Sequence, residues 1–113
     1  MIKTIALAHR RPGMTREEYN KYWLEKHAPL AAKLIPGVRR YVQNHLIEIP
    51  GQEYVGDGIV EMWYDDVDSY RKSMDFIKGN RELMEDARQF CQMKPGGLWI
   101  VEEHVIKNDT AKF

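Results

Sequence analysis

The sequence predicts an α+β fold, a four-stranded antiparallel sheet with two helices on one face. Three observations predict it. Apolar runs with strand character occur four times, at both ends of the chain and twice in the middle. Two stretches carry apolar residues at i, i+3, i+4 spacing, one after the first strand and one after the third. Pro-Gly or Asp-rich punctuation separates the segments. The order is β-α-β-β-α-β, the split βαβ or ferredoxin-like pattern.

The first strand is read over about residues 2–10, where Ile2 to Ala8 is rich in apolar residues and Pro12-Gly13 ends it. Thr15 and Glu18 form a capping box: the hydroxyl accepts from the backbone three residues on, and the glutamate reaches back. The helix that follows buries Tyr19, Tyr22/Trp23, His27, Leu30 and Leu34, and stops at Pro36-Gly37. Pro29 lies inside this pattern and cannot donate to the Glu25 carbonyl, so a kink is expected near His27 and Ala28. Val38 to Ile49 reads as the second strand and residues 50–58 as a loop. Ile59 to Tyr64 is the third strand, with Asp65-Asp66 offering an N-cap. The stripe Val67, Tyr70, Met74, Ile77 is interrupted at Gly79-Asn80 and resumes at Leu83, Met84, Ala87 and Phe90, which predicts a broken second helix. Pro95-Gly96-Gly97 is a turn, Leu98 to Ile106 the last strand, and Lys107 to Phe113 a polar tail.

Composition bounds the function. The 113 residues make one domain, 1–113, with 43% apolar and 30% charged residues. Seventeen basic residues balance seventeen acidic ones, so nothing drives the chain toward nucleic acid. The longest apolar run near the start, Ile5 to Ala8, is too short for a signal core or a membrane span. The one cysteine, Cys91, makes no internal disulfide and points to a reducing, cytoplasmic setting. Both sheet faces are mostly apolar, whereas two helices cover only one. The third strand sets Ile59 and Trp63 against Val60, Met62 and Tyr64, and the last sets Trp99, Val101 and Val105 against Leu98, Ile100 and Ile106. A homodimer stacking sheet on sheet is therefore expected.

The residues Arg11-Pro12-Gly13-Met14-Thr15, Glu18-Tyr19, Tyr22-Trp23, His27-Ala28-Pro29-Leu30, Pro36-Gly37 and Tyr41 occur at a specific spacing. With Glu61-Met62-Trp63-Tyr64 they resemble the EthD family over nearly the whole chain. The resemblance implies a dimeric α+β barrel. It also implies a small-molecule function: an accessory role in ether degradation, often labelled a reductase, or decarboxylation and dehydration as in fungal relatives. Nearby barrel families include muconolactone-type isomerases, cofactor-free monooxygenases and haem degraders. Muconolactone-type relatives line their pocket with a histidine at the His27 position and a tyrosine at the Tyr41 position. They place a cysteine where Met62 stands, so thiol chemistry is lost there.

His27 lies four residues after Trp23, so both project from one helix face. An imidazole, with a free pKa of about 6.5, suits proton transfer at neutral pH; a hydrogen-bonded core histidine is the other reading. Tyr41 shares a strand face with Gln43 and His45 and either orients a substrate oxygen or fills the core. Trp23, Met62 and Tyr64 are candidate apolar walls, and His9 either reaches the pocket mouth or ends its strand in solvent. If the opposite parity faces the helices, Ile59, Glu61 and Trp63 line the interior instead. Cys91 reads as a small core residue, and the four histidines fall on separate elements without metal-ligand spacing. No G-x-G-x-x-G follows a strand. The expectation is an enzyme without a tightly held cofactor, with His27 as acid/base and Tyr41 as orienting hydrogen bond, acting on an aromatic or lactone-like metabolite. The alternative is an accessory module carrying an oxidation intermediate or a haem-like ligand.

Overall fold

The computed structural model describes residues 1–92 and 97–109. Four strands, β1 (Ile2–Ala8), β2 (Arg40–His45), β3 (Gly58–Tyr64) and β4 (Leu98–Val101), form one antiparallel sheet in the order β2-β3-β1-β4. Between β1 and β2 run α1 (Arg16–Tyr22), a π turn (Trp23–His27) and α2 (Ala28–Leu34); between β3 and β4 run α3 (Val67–Gly79) and α4 (Arg81–Arg88). This is the ferredoxin-like arrangement expected from the element order. Pro95 and Gly96 of the last turn, and the end of the tail, lie outside the described residues.

The Thr15 capping box closes as expected: its hydroxyl accepts from the Glu18 N–H at 3.1 Å and the Glu18 carboxylate accepts from the Thr15 N–H at 3.0 Å. The kink at Pro29 takes the form of the π turn, in which the Ala28 N–H reaches back five residues to the Trp23 carbonyl. The wider turn absorbs a proline that an α-helix interior would reject. Asn80 is at once the C-cap of α3 and the N-cap of α4, its side chain accepting from the Leu83 N–H at 2.9 Å. Asp66 caps α3 through the Ser69 N–H at 2.8 Å.

Three strands are shorter than their apolar runs. β1 ends at Ala8, with Arg10 in a separate bridge to Cys91. β2 ends at His45 because its partner β3 begins opposite, at Gly58; Ile47 and Ile49 beyond it lie outside the ladder and are exposed. β4 stops at Val101, opposite Lys3, because β1 has almost no chain left to pair. A ladder extends only as far as both strands supply backbone groups.

Helix packing settles the sheet parity. Tyr41, Gln43 and His45 of β2 and Val60, Met62 and Tyr64 of β3 face the helices: the Tyr64 hydroxyl meets Ser73 of α3 at 3.1 Å, and His45 stacks on Trp23 at 4.7 Å. Tyr19, Trp23 and Phe90 form the core between helices and sheet. The open face is not the plain apolar surface expected. At its centre Lys3, 8% exposed, pairs with Glu61 at 2.8 Å and Glu103 at 2.7 Å, and Asn44 donates to Glu61 at 3.0 Å. Lys3 and Arg40 both lie over the Trp63 ring, at 4.9 and 4.8 Å from its centroid. Trp99, half exposed, lies beyond this centre on the same face. Among the described residues no helix is long and apolar enough to cross a membrane.

Candidate functional site

A largely apolar cavity of about 190 Å³ opens between the sheet and the helix layer. Its upper wall comes from one stretch of chain: Tyr19 of α1, and Trp23 and His27 of the π turn. The floor is Tyr41 of β2 with Val60 and Met62 of β3, and one end is closed by His9, Phe90, Cys91 and Gln92. Five residues singled out in the sequence, His27, Tyr41, Trp23, Met62 and His9, thus converge on one space. Tyr64 does not line it. That ring is wholly buried beside the cavity, its hydroxyl bonded to Ser73 and 3.4 Å from the Met62 sulfur.

Local packing holds the walls. The indole of Trp23 lies against Gly58, where a Cβ would stand 2.6 Å from the ring, and stacks on the His45 ring. Gln43 donates to the Trp23 carbonyl at 3.0 Å, which ties the π turn to β2. That bond fixes the Gln43 amide: Nε2 faces the carbonyl, so Oε1 accepts from His45 Nε2–H at 2.8 Å. Burial holds the His45 pKa below its ordinary value. Gln43 Nε2 also approaches the Tyr41 oxygen at 3.4 Å, leaving the Tyr41 proton free to point elsewhere. Next to His9, Asp57 accepts from the Arg10 N–H at 2.9 Å and from Arg16 at 3.2 Å.

The polar centre is an ordered dyad. His27 Nδ1 lies 2.7 Å from Asp86 Oδ2, and the Tyr22 hydroxyl donates to Asp86 Oδ1 at 2.6 Å. Burial, and then the bond to Asp86, push the Tyr22 phenol up to about 12, so it stays a donor. A carboxylate only accepts, so the neutral His27 ring carries its proton on Nδ1 and presents the Nε2 lone pair. Among the described residues no protein group bonds Nε2. The ring is tilted against Phe90 at 4.8 Å, and its side chain is 17% exposed. Such a histidine can take a proton from a bound molecule while Asp86 stabilises the imidazolium that forms. Burial pushes the Cys91 thiol up to about 11, and it donates to the Ala87 carbonyl at 3.1 Å, an environment that disfavours the thiolate.

Asp86 is the participant that sequence reasoning misses. The signal is there: it lies three residues after Leu83 and four before Phe90, an acid at the edge of the apolar stripe of α4. Tyr19 reads from its spacing as a core residue only, yet it also walls the cavity.

The EthD domain profile matches residues 11–94. No curated protein sequence matches the chain. Among solved structures, an ethyl tert-butyl ether D (EthD) family protein from Bacillus halodurans is 28% identical, with 92% of this chain and 99% of that one covered and a TM-score of 0.63. A dimeric protein of unknown function and ferredoxin-like fold from Bacteroides fragilis is 15% identical, covering 88% and 91%, at a TM-score of 0.53. SnoaB from Streptomyces nogalater, a cofactor-independent oxygenase, is 13% identical, covering 94% and 97%, at a TM-score of 0.54. The last two bear on the fold alone.

Proposed function

The chain belongs to the EthD family, and from that premise we propose that it is a small-molecule enzyme using proton transfer in the helix–sheet cavity, without a resident cofactor. The observation that carries this reading is His27 in the wall of a largely apolar cavity, with its Nδ1 2.7 Å from Asp86. His27 is the acid/base, and Asp86 is the residue that positions it. Tyr41 orients a substrate oxygen, and Trp23 and Met62 shape the space for a flat aromatic or lactone-like metabolite. Isomerisation, decarboxylation and dehydration share this core step. His27 Nε2 takes or gives one proton while the electron pair moves between carbon and oxygen of the substrate. A fold relative described as a cofactor-independent oxygenase is consistent with such a cavity working unaided.

The test uses hydrogen–deuterium exchange in D2O, read by proton NMR, on one-ring carbonyl probes such as cyclohex-3-enone and γ-butyrolactone. The protein is expected to accelerate α-carbon exchange over buffer, and His27→Ala to remove about 10²–10⁴ of that rate. Exchange equal in the two proteins refutes the reading. Probes that raise the melting temperature without exchanging point to a carrier or accessory module instead.

We also propose that the working form is a homodimer joined through the open sheet face. Supporting this are the half-exposed Trp99 beside the Lys3–Glu61–Trp63 centre and the dimeric description of one fold relative.

A further inference from the structure

Of the tyrosines around the helix–sheet seam, Tyr22, Tyr64 and Tyr41 have partners for their hydroxyls. Tyr22 donates to Asp86, Tyr64 meets Ser73, and Tyr41 is approached by Gln43. Tyr19 differs. It is wholly buried, it lines the cavity, and among the described residues its hydroxyl has no hydrogen-bond partner. Its ring packs on both Trp23, at 5.4 Å, and Phe90, at 5.5 Å, in the core cluster. A buried hydroxyl without a partner costs about 1–3 kcal/mol; Tyr19 lines the cavity, so a molecule bound there is the nearest source of one.

We propose that Tyr19 is the oxyanion donor of the site: its hydroxyl receives the oxygen on which charge gathers when His27 removes a proton. The inference rests on the proton-transfer reading and names the substrate class, an enolisable carbonyl or a phenol built on one six-membered ring. The size follows from the cavity. A void of about 150 Å³ accommodates benzene, so about 190 Å³ leaves room for a ring with small substituents. The donor role follows from burial, which drives the Tyr19 phenol far above its ordinary value and keeps its proton in place. In the step, the substrate C–H or O–H bond breaks and its proton passes to His27 Nε2. The electron pair forms the enolate or phenolate, whose oxygen accepts from Tyr19 Oη–H. Tyr41, whose own proton is free, is the second donor within the cavity.

The probe is 4-nitrophenol, whose ionised form alone is yellow, with nitrobenzene as the analogue lacking the hydroxyl. Binding is measured by calorimetry, and the ionised fraction of bound probe by absorbance near neutral pH. The wild type is expected to bind 4-nitrophenol at least about tenfold tighter than nitrobenzene and to enrich the yellow form. Tyr19→Phe, which keeps the ring, is expected to lose about 10- to 100-fold in affinity for 4-nitrophenol, none for nitrobenzene, and most of the yellow enrichment. Equal binding of the two probes by the wild type overturns the proposal without recourse to any variant, as does a Tyr19→Phe protein that ionises the probe as well as the wild type. Binding of neither probe overturns the cavity reading as well. Binding of both without preference leaves that reading standing and removes only Tyr19 from it.

Discussion

Replacing Asp86 with asparagine separates a positioning role from a merely structural one. Asp86 makes two short bonds, to His27 Nδ1 at 2.7 Å and from the Tyr22 hydroxyl at 2.6 Å. In Asp86→Asn the amide oxygen still accepts from Tyr22, whose phenol remains a donor. The amide nitrogen, a donor, then faces Nδ1. Two donors cannot share that contact, so the ring takes the other tautomer: Nδ1 accepts, and Nε2 carries the proton into the cavity. The base is removed without moving an atom far. The expected loss in α-carbon exchange is about 10²–10⁴, the range that acid–base catalysis and tautomer reversal in a catalytic triad both give. The fold loses little. Both bonds survive as neutral ones, so the cost is about 1 kcal/mol, or about 3–6 °C in melting temperature. The assay pairs deuterium exchange with nitrogen-15 NMR of His27, which reads the tautomer directly. Asp86→Ala serves as contrast: it strands two donors and is expected to melt lower still. An Asp86→Asn protein that exchanges within about twofold of wild type, or whose His27 tautomer is unchanged, refutes the reasoning.

Gly58→Ala places a Cβ 2.6–2.8 Å from the Trp23 ring, which is also stacked on His45; overpacking of this kind costs about 1–3 kcal/mol, and calorimetric melting together with lost 4-nitrophenol binding will show it. Hydrogen bonds to Glu103 and then Glu61 raise the Lys3 pKa from its ordinary 10.5, and the bond from Lys3 lowers that of Glu61 from its ordinary 4.5. The Glu61 share of stability is therefore present above pH 4.5 and lost as pH falls through the lower folded value. The Lys3 share is present below pH 10.5 and lost as pH rises through the higher one. Lys3→Met is expected to flatten both limbs of a stability–pH curve measured by urea unfolding; an unaltered acid limb counts against the pairing. Sedimentation at micromolar concentration should give about twice the 13.3 kDa chain mass. Val101→Lys, which puts a charge on the open face beside the Lys3 row, should shift it toward the monomer; a wild-type monomer refutes the dimer.

Local chemistry determined much of this protein before any packing was known. The Thr15–Glu18 capping box, the Asp66 cap and the break at Asn80 act within three or four residues, so the sequence states them outright. Pro29 announced a defect near His27 for the same reason, since a missing N–H and a crowding ring act within one turn. The apolar stripe set Trp23 and His27 on one side of that defect. Tertiary structure decided the rest. Strand ends depended on how far a partner reached, which is why β4 stops opposite Lys3 although its apolar residues continue. Period-two alternation marks two faces without saying which is inside; only the contacts of Tyr64 with Ser73 and of His45 with Trp23 settle that. The His27–Asp86 pair spans 59 positions of sequence, and the Tyr19 hydroxyl, without a partner among the described residues, is defined by what does not surround it. Neither has a spacing to read, because both arise where α1 and the π turn meet α4 and the residues just after it, over the same sheet.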